Sequence, residues 1–393
     1  MFAFPSFIRR SGFLLMLLLL DTPLAPGHAA ETGSDVAADS ASRTGNATRT
    51  DQATERESAE TADAAMPKPA GPLPESAASE PVEHDALDGD ALFRRVAAAS
   101  VEILSNGQLA GSGWFASADG LVVTARHVIR ALPGNPRLEV LLSDGSRFPV
   151  EEIATAPGHD LALLQLTMDE DPDSRRAFPF LPVAERFPPP TEPVYLFGQM
   201  VFRHGLLLAG KVAGIRPAFE YLPGQKSYVR INYVAPALPI GTSGGPWVDR
   251  HGRVVGNQVG TVSLGNSPVG MSFVAELSGI RRLLKEKTTI DVATLGMSAT
   301  ELWEHGPNFV GQFPQGTSGL VPGIHDKEGP AAAAGLTDKM VITAVDGRAV
   351  AYRRQLLARV REKQPGESLM LTVLEAGNAE PRELKVTLGR LAE

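Results

Sequence analysis

Three short stretches hold side chains that together can activate a hydroxyl: Thr124-Ala125-Arg126-His127-Val128, His159-Asp160-Leu161, and Gly241-Thr242-Ser243-Gly244-Gly245-Pro246. A serine hydroxyl is a weak nucleophile that needs a base in hydrogen-bond contact, itself oriented by a third group. Ser243 is the candidate nucleophile, His127 the base, and Asp160 the group that orients and stabilises the imidazolium. The order His, Asp, Ser is one of several in which this hydrolytic triad occurs on unrelated folds. The small flanking residues matter as much: Gly241 and Ser243 are placed to supply two backbone N–H donors for an oxyanion hole. Gly244 and Gly245 let a neighbouring strand come close behind the nucleophile. Each stretch has a plainer reading taken alone, as a turn, a satisfied histidine, or a strand-initiating aspartate. Their joint occurrence at strand ends and tight turns favours the triad.

Such a triad needs a rigid scaffold of strands, and the chain provides one. From about Ala91 to Leu284 short apolar or alternating runs are separated by Gly, Pro and Asp. They include Val101 to Leu104, Leu121 to Thr124, Leu138 to Leu142, Asp160 to Leu166, Val194 to Phe197, Tyr228 to Val234 and Arg253 to Val259. Many short strands at this spacing predict an all-β barrel or sandwich. Ser278 to Lys287 then predicts a closing helix. From Ile290 the pattern becomes mixed: a short Ala-rich helix at Gly329 to Gly335, a strand at Met340 to Val345, a helix at Tyr352 to Lys363, then strands at Ser368 to Glu375 and Arg382 to Leu388. This is a second domain, α+β in character.

Among 393 residues, 43% are hydrophobic and 21% charged, enough for two folded domains with sizeable cores. There are no cysteines, which excludes thiol chemistry, Cys-ligated zinc and a disulfide framework. His204, His251, His305 and His325 stand in no metal-ligand spacing, so neither metal nor cofactor is expected. Trp114 and Trp247 read as core. The net charge of -8 is carried by the stretch 31–90, which has 14 acidic and 4 basic side chains. The remainder is nearly neutral and has no basic footprint for nucleic acid.

The first 29 residues read as an export signal: Arg9-Arg10, the apolar run Phe13 to Leu20, and small residues up to Ala29. The run is too short for a stable membrane span, which predicts cleavage and a periplasmic protein; the alternative is tethering by the uncleaved signal. Residues 30–88, rich in Ala, Thr, Ser, Glu, Asp and Pro, predict a disordered acidic linker.

The motifs resemble the HtrA (Deg) family of trypsin-like serine proteases. The resemblance rests on Gly111-Ser112-Gly113-Trp114-Phe115, on Val123 to Ile129, on Asp160-Leu161-Ala162-Leu163-Leu164, and on Gly241 to Pro246 with Val254-Val255-Gly256. Past the protease, Leu295-Gly296-Met297, Gly329 to Leu336 and Val341 to Gly347 resemble a bacterial PDZ domain. The resemblance implies a trypsin-like double β-barrel at 89–289, with the triad in the cleft between barrels, and a PDZ domain at 290–393. It implies homotrimers built through the protease domains and substrates that are misfolded envelope proteins. It carries over Leu238 as a wall of the primary pocket and Gln258, Val259 and Gly260 as the substrate-pairing strand. Leu295, Gly296 and Met297 would capture the carboxylate of C-terminal peptides.

The chain departs from the family at Thr242, where Asn is usual, and at Ala235, Pro236, Pro239 and Ile240 in the approach to the nucleophile. The two prolines restrict that loop. The predicted function is an exported, ATP-independent serine endopeptidase acting on unfolded polypeptides. The alternative is a holdase or PDZ scaffold with a weakly active protease fold. An α/β-type ester hydrolase is a poorer match, because it would place Ser before His and alternate strands with helices.

Overall fold

The computed structural model describes residues 86–130, 134, 136–167, 176–200, 203–264 and 267–391. The expected signal and nearly all of the expected linker lie outside them. The first element is a helix the strand pattern did not announce, α1 (Gly89–Ala99). The Asp88 side chain caps it by accepting from the Ala91 N–H at 2.7 Å, and Leu92, Val96 and Ala99 fall on one buried stripe.

Six strands then close into a barrel: β1 (Ser100–Ser105), β2 (Gln108–Phe115), β3 (Leu121–Ala125), β4 (Leu138–Leu141), β5 (Arg147–Ala156) and β6 (Leu161–Leu166), in the order β1-β2-β3-β6-β5-β4. Between β3 and β4 lies the four-residue helix α2 (Arg126–Ile129). Seven more strands follow: β7 (Pro193–Met200), β8 (Arg203–Val212), β9 (Ala218–Leu222), β10 (Ser227–Ala235), β11 (Pro246–Val248), β12 (Val254–Leu264) and β13 (Ser267–Ala275). Their order is β13-β12-β11-β7-β8-β10-β9, and a β10–β13 pairing closes six of them into a second ring. Helix α3 (Leu277–Glu286) ends this half of the chain.

The strand alternation explains why the barrels join. On β3 and β6, Val122, Ala125, Ala162 and Leu164 fill the first barrel. Leu121, Val123, Leu161 and Leu163, pointing the other way, enter a cluster shared with Val229, Ile231, Val254 and Ala275 of the second. The second barrel's interior holds Val194, Leu196, Val234, Trp247, Val255 and Val274. Both faces of β3 and β6 are therefore apolar, and both strands read as near-continuous hydrophobic runs. Trp114 and Trp247 are fully buried, as expected.

The C-terminal domain carries β14 (Ala293–Thr294), β15 (Ser298–Glu301), α4 (Pro307–Val310), β16 (Leu320–Gly323), α5 (Pro330–Ala333), β17 (Met340–Val345), β18 (Arg348–Ala349), α6 (Arg353–Arg361), β19 (Ser368–Glu375), β20 (Arg382–Thr387) and β21 (Gly389–Arg390). Its main sheet runs β15-β16-β17-β19-β20, with β18 on β17. Leu356 and Val360 of α6 pack into its core, and Tyr352 closes a capping box with Gln355 at the start of that helix. The barrels and this domain belong to one compact unit.

Candidate active site

The register of β3 and β6 brings the first two candidates together. Ala125 pairs with Leu161, so the residues leaving β3 and those entering β6 are neighbours. Asp160 ends the 3-10 turn Pro157–His159 with φ 54° and ψ 46°, a left-handed conformation that aspartate tolerates better than most side chains. From there it grips the first turn of α2. The Arg126 N–H donates to the Asp160 carbonyl at 2.9 Å, the His127 N–H to Oδ1 at 3.0 Å, and His127 Nδ1–H to Oδ2 at 2.5 Å. The carboxylate is fully buried, whereas the imidazole keeps 22% of its surface exposed. Burial disfavours the charged imidazole, but the Asp160 charge and hydrogen bond outweigh it and raise the His127 pKa above its usual value. Asp160 thus fixes the ring through Nδ1, which leaves Nε2 as the nitrogen that can accept a proton.

Ser243 comes from the loop between β10 and β11. Its carbonyl accepts from the Ser112 N–H at 2.8 Å, tying the nucleophile turn to β2 of the other barrel. Gly244, at φ +86°, lies so close to that barrel that a Cβ would stand 2.0 Å from the Ser112 carbonyl oxygen and 3.0 Å from the Ala125 nitrogen. Both the backbone angle and the space exclude a side chain. The half-buried Ser243 therefore stands against the end of β3, two residues before His127. Among the described residues its hydroxyl makes no hydrogen bond with a protein group; catalytic hydrogen bonds are commonly loose before substrate arrives.

Gly241, at φ +103°, has the Gln199 side chain where a Cβ would be, at 2.5 Å. Its carbonyl accepts from Ser112 Oγ at 3.0 Å, and that same oxygen accepts from the Gln199 N–H at 3.2 Å. The fully buried Ser112 thus sets the peptide orientation on which an oxyanion hole depends. Among the described residues no protein acceptor engages the N–H of Gly241 or of Ser243. Thr242 finds a local partner: its hydroxyl donates to the Pro239 carbonyl at 2.9 Å and closes the turn. The approach loop is further held by Ser272 Oγ on the Pro236 carbonyl, while Ile240 stays 73% exposed.

The expected pocket residues sit differently. Leu238 is buried among Val194, Leu196, Val234 and Trp247 in the second barrel's core, rather than facing a substrate cleft. Gln258 spends its N–H on the Gly245 carbonyl and its carbonyl on the Gly244 N–H, at 2.9 and 2.8 Å, so it backs the nucleophile turn instead of pairing with substrate. Its side chain accepts from Trp247 Nε1 at 2.8 Å. Val259 is buried between the barrels, and of the three Gly260 alone is partly exposed. Ser112 and Gln258 are the supports that sequence reasoning assigned no such role; Ser112 stood inside the quoted Gly111-Ser112-Gly113 motif.

The Leu295-Gly296-Met297 segment joins β14 to β15, with Gly296 at φ +67°. Leu295 and Met297, with Ala299, Leu356, Leu357 and Val360, line the gap between β15 and α6. That gap is filled from inside the molecule. The Tyr228 phenol, from β10, enters it, and a cavity of only ≈ 20 Å³ remains. Among the described residues no group of His, Asp or Glu is arranged to hold a metal, and His204 pairs instead with Glu102 at 2.5 Å.

Comparison with known proteins agrees with this geometry. Residues 111–256 match the family model of the trypsin-like peptidase domain. A probable periplasmic DegP-like serine endoprotease of Bartonella henselae is 28% identical over 289 residues, covering 72% of this chain and 54% of that protein. Its counterpart in Brucella suis is 28% identical over 287 residues, covering 72% and 52%. The chain thus spans about half the length of the curated relatives it matches. Among solved structures, the HtrA-type protease AlgW with a decapeptide superposes with a TM-score of 0.56 at 19% identity, covering 77% of this chain and 99% of that one. The serine endoprotease from Yersinia pestis gives 0.52 at 19% identity, covering 79% and 100%. At such identities the structures speak for the fold. The chain thus has a trypsin-like peptidase domain and is similar to DegP-like serine endoproteases in sequence and to HtrA-type proteases in fold.

Proposed function

We propose that this chain is an exported, ATP-independent serine endopeptidase that cuts unfolded polypeptides through Ser243, His127 and Asp160. The observation that carries the reading is the contact of His127 Nδ1 with the buried Asp160 carboxylate, beside a nucleophile turn packed onto β2 and β3. In the first step Ser243 Oγ bonds to the scissile carbonyl carbon while His127 Nε2 takes the hydroxyl proton. The oxyanion is met by the N–H groups of Gly241 and Ser243. His127 then gives its proton to the leaving amine as the C–N bond breaks. Water, activated by the same imidazole, releases the acyl group and restores the Ser243 hydroxyl. No other group is required for proton balance.

The domain from Ile290 reads as a PDZ domain, supported by its small sheet and by the glycine loop between β14 and β15 that opens onto α6. Its proposed ligands are C-terminal peptides, added as a strand beside β15. A periplasmic location and assembly as a homotrimer through the barrels are carried over as proposals from the family. No helix among the described residues is long and apolar enough to cross a membrane.

The test compares wild type with Ser243→Ala on an unfolded protein substrate, together with a labelled fluorophosphonate. Wild type should degrade the substrate and take the label at Ser243, and the variant should do neither. If both leave the substrate intact while suppressing its aggregation, the holdase reading replaces this one.

A further inference from the structure

We propose that Arg361, at the end of α6 in the C-terminal domain, is a positioning residue for Asp160: it braces the turn Pro157–His159 from behind and so keeps the carboxylate on His127. This rests on the protease reading above and adds to it a residue outside the barrels.

The geometry is as follows. Arg361 Nη2 donates to the Tyr228 carbonyl on β10 at 2.6 Å, and Nη1 donates to the Ala293 carbonyl on β14 at 3.0 Å. Its guanidinium carbon would lie 3.8 Å from a Cβ at Gly158, the middle residue of the turn. Val292, in the connector between the domains, would be 3.0 Å from the same point. Just upstream, the connector is stitched to the end of β5. The Ile290 N–H donates to the Thr155 carbonyl at 2.8 Å, and the Thr155 N–H to Thr289 Oγ1 at 3.2 Å. Helix α3 comes so near the turn that a Cβ at Gly279 would stand 2.5 Å from the His159 ring. The turn is packed by β10, by α3 and by the connector with Arg361.

What this packing holds is an uncommon backbone state. Asp160, the residue the turn delivers, stands in the left-handed region, so its direction depends on how the turn is held. Arg361 has no carboxylate partner among the described residues; its donors go to backbone carbonyls, and burial lowers its pKa to about 10. A half-buried cation with no carboxylate beside it gives up part of its hydration for these two carbonyls. Its bond to Tyr228 crosses to the barrels, its bond to Ala293 stays within its own domain, and its guanidinium lies against the turn that delivers Asp160. His159, facing Arg361, Arg230, Arg282 and Glu276, stays unprotonated and adds no charge to this seam.

The experiment measures kcat, KM and the pH–rate profile of the full chain on a peptide substrate, for wild type, Arg361→Ala and Arg361→Lys. Misplacing a catalytic group by about 1 Å costs up to roughly 10²-fold in rate. Arg361→Ala should therefore lower kcat about tenfold with KM within about twofold. Its acid limb should move to lower pH, because a loosened Asp160 no longer raises the His127 pKa. Arg361→Lys, which can still serve one carbonyl, should recover part of the loss. Wild-type kcat in Arg361→Ala overturns the proposal, and so does a lower kcat with an unmoved acid limb. If Arg361→Ala does not fold, Arg361→Lys decides. About a threefold loss of kcat at wild-type Tm supports the proposal, and wild-type kcat overturns it. Absence of turnover and of Ser243 labelling in wild type would instead defeat the protease reading itself.

Discussion

The Tyr228 hydroxyl is bound to both backbone groups of Ala299: it accepts from the N–H at 2.7 Å and donates to the carbonyl at 3.1 Å. Those are the groups that a peptide lying beside β15 would use, and the ring occupies the apolar gap between β15 and α6 where its side chain would go. Burial pushes the Tyr228 pKa up to about 12, so the phenol keeps its proton and both bonds across the physiological range.

A C-terminal peptide bound as proposed would have to compete with Tyr228 for the groove. With each net hydrogen bond contributing about 1 kcal/mol, opening costs about 2 kcal/mol before any lost packing. Tyr228→Ala should bind an apolar C-terminal peptide at least about tenfold more tightly than wild type, with Tyr228→Phe in between. Fluorescence anisotropy with a labelled peptide measures this, and equal affinities in all three proteins would show that the groove is not the binding site.

In the proposed mechanism His127 is the base and sets the pH dependence of cleavage. His127 must be neutral to accept the serine proton, and Asp160 raises its pKa, so the acid limb of kcat/KM belongs above the ordinary histidine value rather than below it. Activity should fall as the pH drops from 8 to 6. Asp160→Asn removes the charge that raises the pKa and the acceptor that fixes the tautomer. A loss on the order of 10⁴ in kcat is expected, with any residual acid limb displaced to lower pH. A rate that is flat from pH 5 to 8 would exclude His127 as the base.

How far the sequence discloses this site depends on whether the cause is local. His127, Asp160 and Ser243 stand out because each ends a strand or starts a turn with unusual neighbours. The Ala125–Leu161 register that joins the first two is a pairing between strands 36 positions apart, and nothing local records it. Leu238 and Gln258 were carried over from the resemblance, and the structure puts the first in the second barrel's core and the backbone of the second on the nucleophile turn. Period-2 alternation says that a residue points in or out, but in two packed barrels "out" is often another core. Helix α1 escaped notice because its single buried stripe of Leu92, Val96 and Ala99 is short and abuts β1 directly. Tyr228 looked like one more residue of an apolar strand. Only the placement of the C-terminal domain gives it a partner.

Ser112 should prove as important as its position behind the oxyanion peptide suggests. Replacing it with alanine removes the donor to the Gly241 carbonyl and one acceptor for the Gln199 N–H, so two buried backbone groups each lose a hydrogen bond. Each such group costs about 1–3 kcal/mol. Part of that cost should appear as lower thermal stability and part as a kcat reduced roughly tenfold, because the Gly241 peptide is freer to turn its N–H away. Ser112→Thr keeps the hydroxyl and should restore kcat more than stability, since the site is fully packed. Unchanged kcat in Ser112→Ala would mean that Gly241 holds its orientation without this hydrogen bond.

Stability in mild acid should be limited by His159, the residue before Asp160. His159 is buried against Gly279, its ring nitrogens have no hydrogen-bond partner, and burial together with Arg361, Arg230 and Arg282 lowers its pKa to about 3. In the unfolded chain it titrates near 6.5. Above that value both states are neutral and nothing is lost; as the pH falls through 6.5 the unfolded state takes up a proton that the folded state refuses. The native state should lose about 2 kcal/mol from this group between pH 7.5 and 5. His127 works in the opposite sense. Its folded pKa is raised, so the stability it contributes is fully present below 6.5 and fades as the pH rises through the folded value. Comparing wild type with His159→Phe by denaturant unfolding isolates the first effect, because His127 and the carboxylates are common to both proteins. The stability difference should swing in favour of the variant by about 2 kcal/mol on going from pH 7.5 to 5. A pH-independent difference would mean that His159 takes up its proton inside the folded protein, and that the positive groups around it do not set its charge.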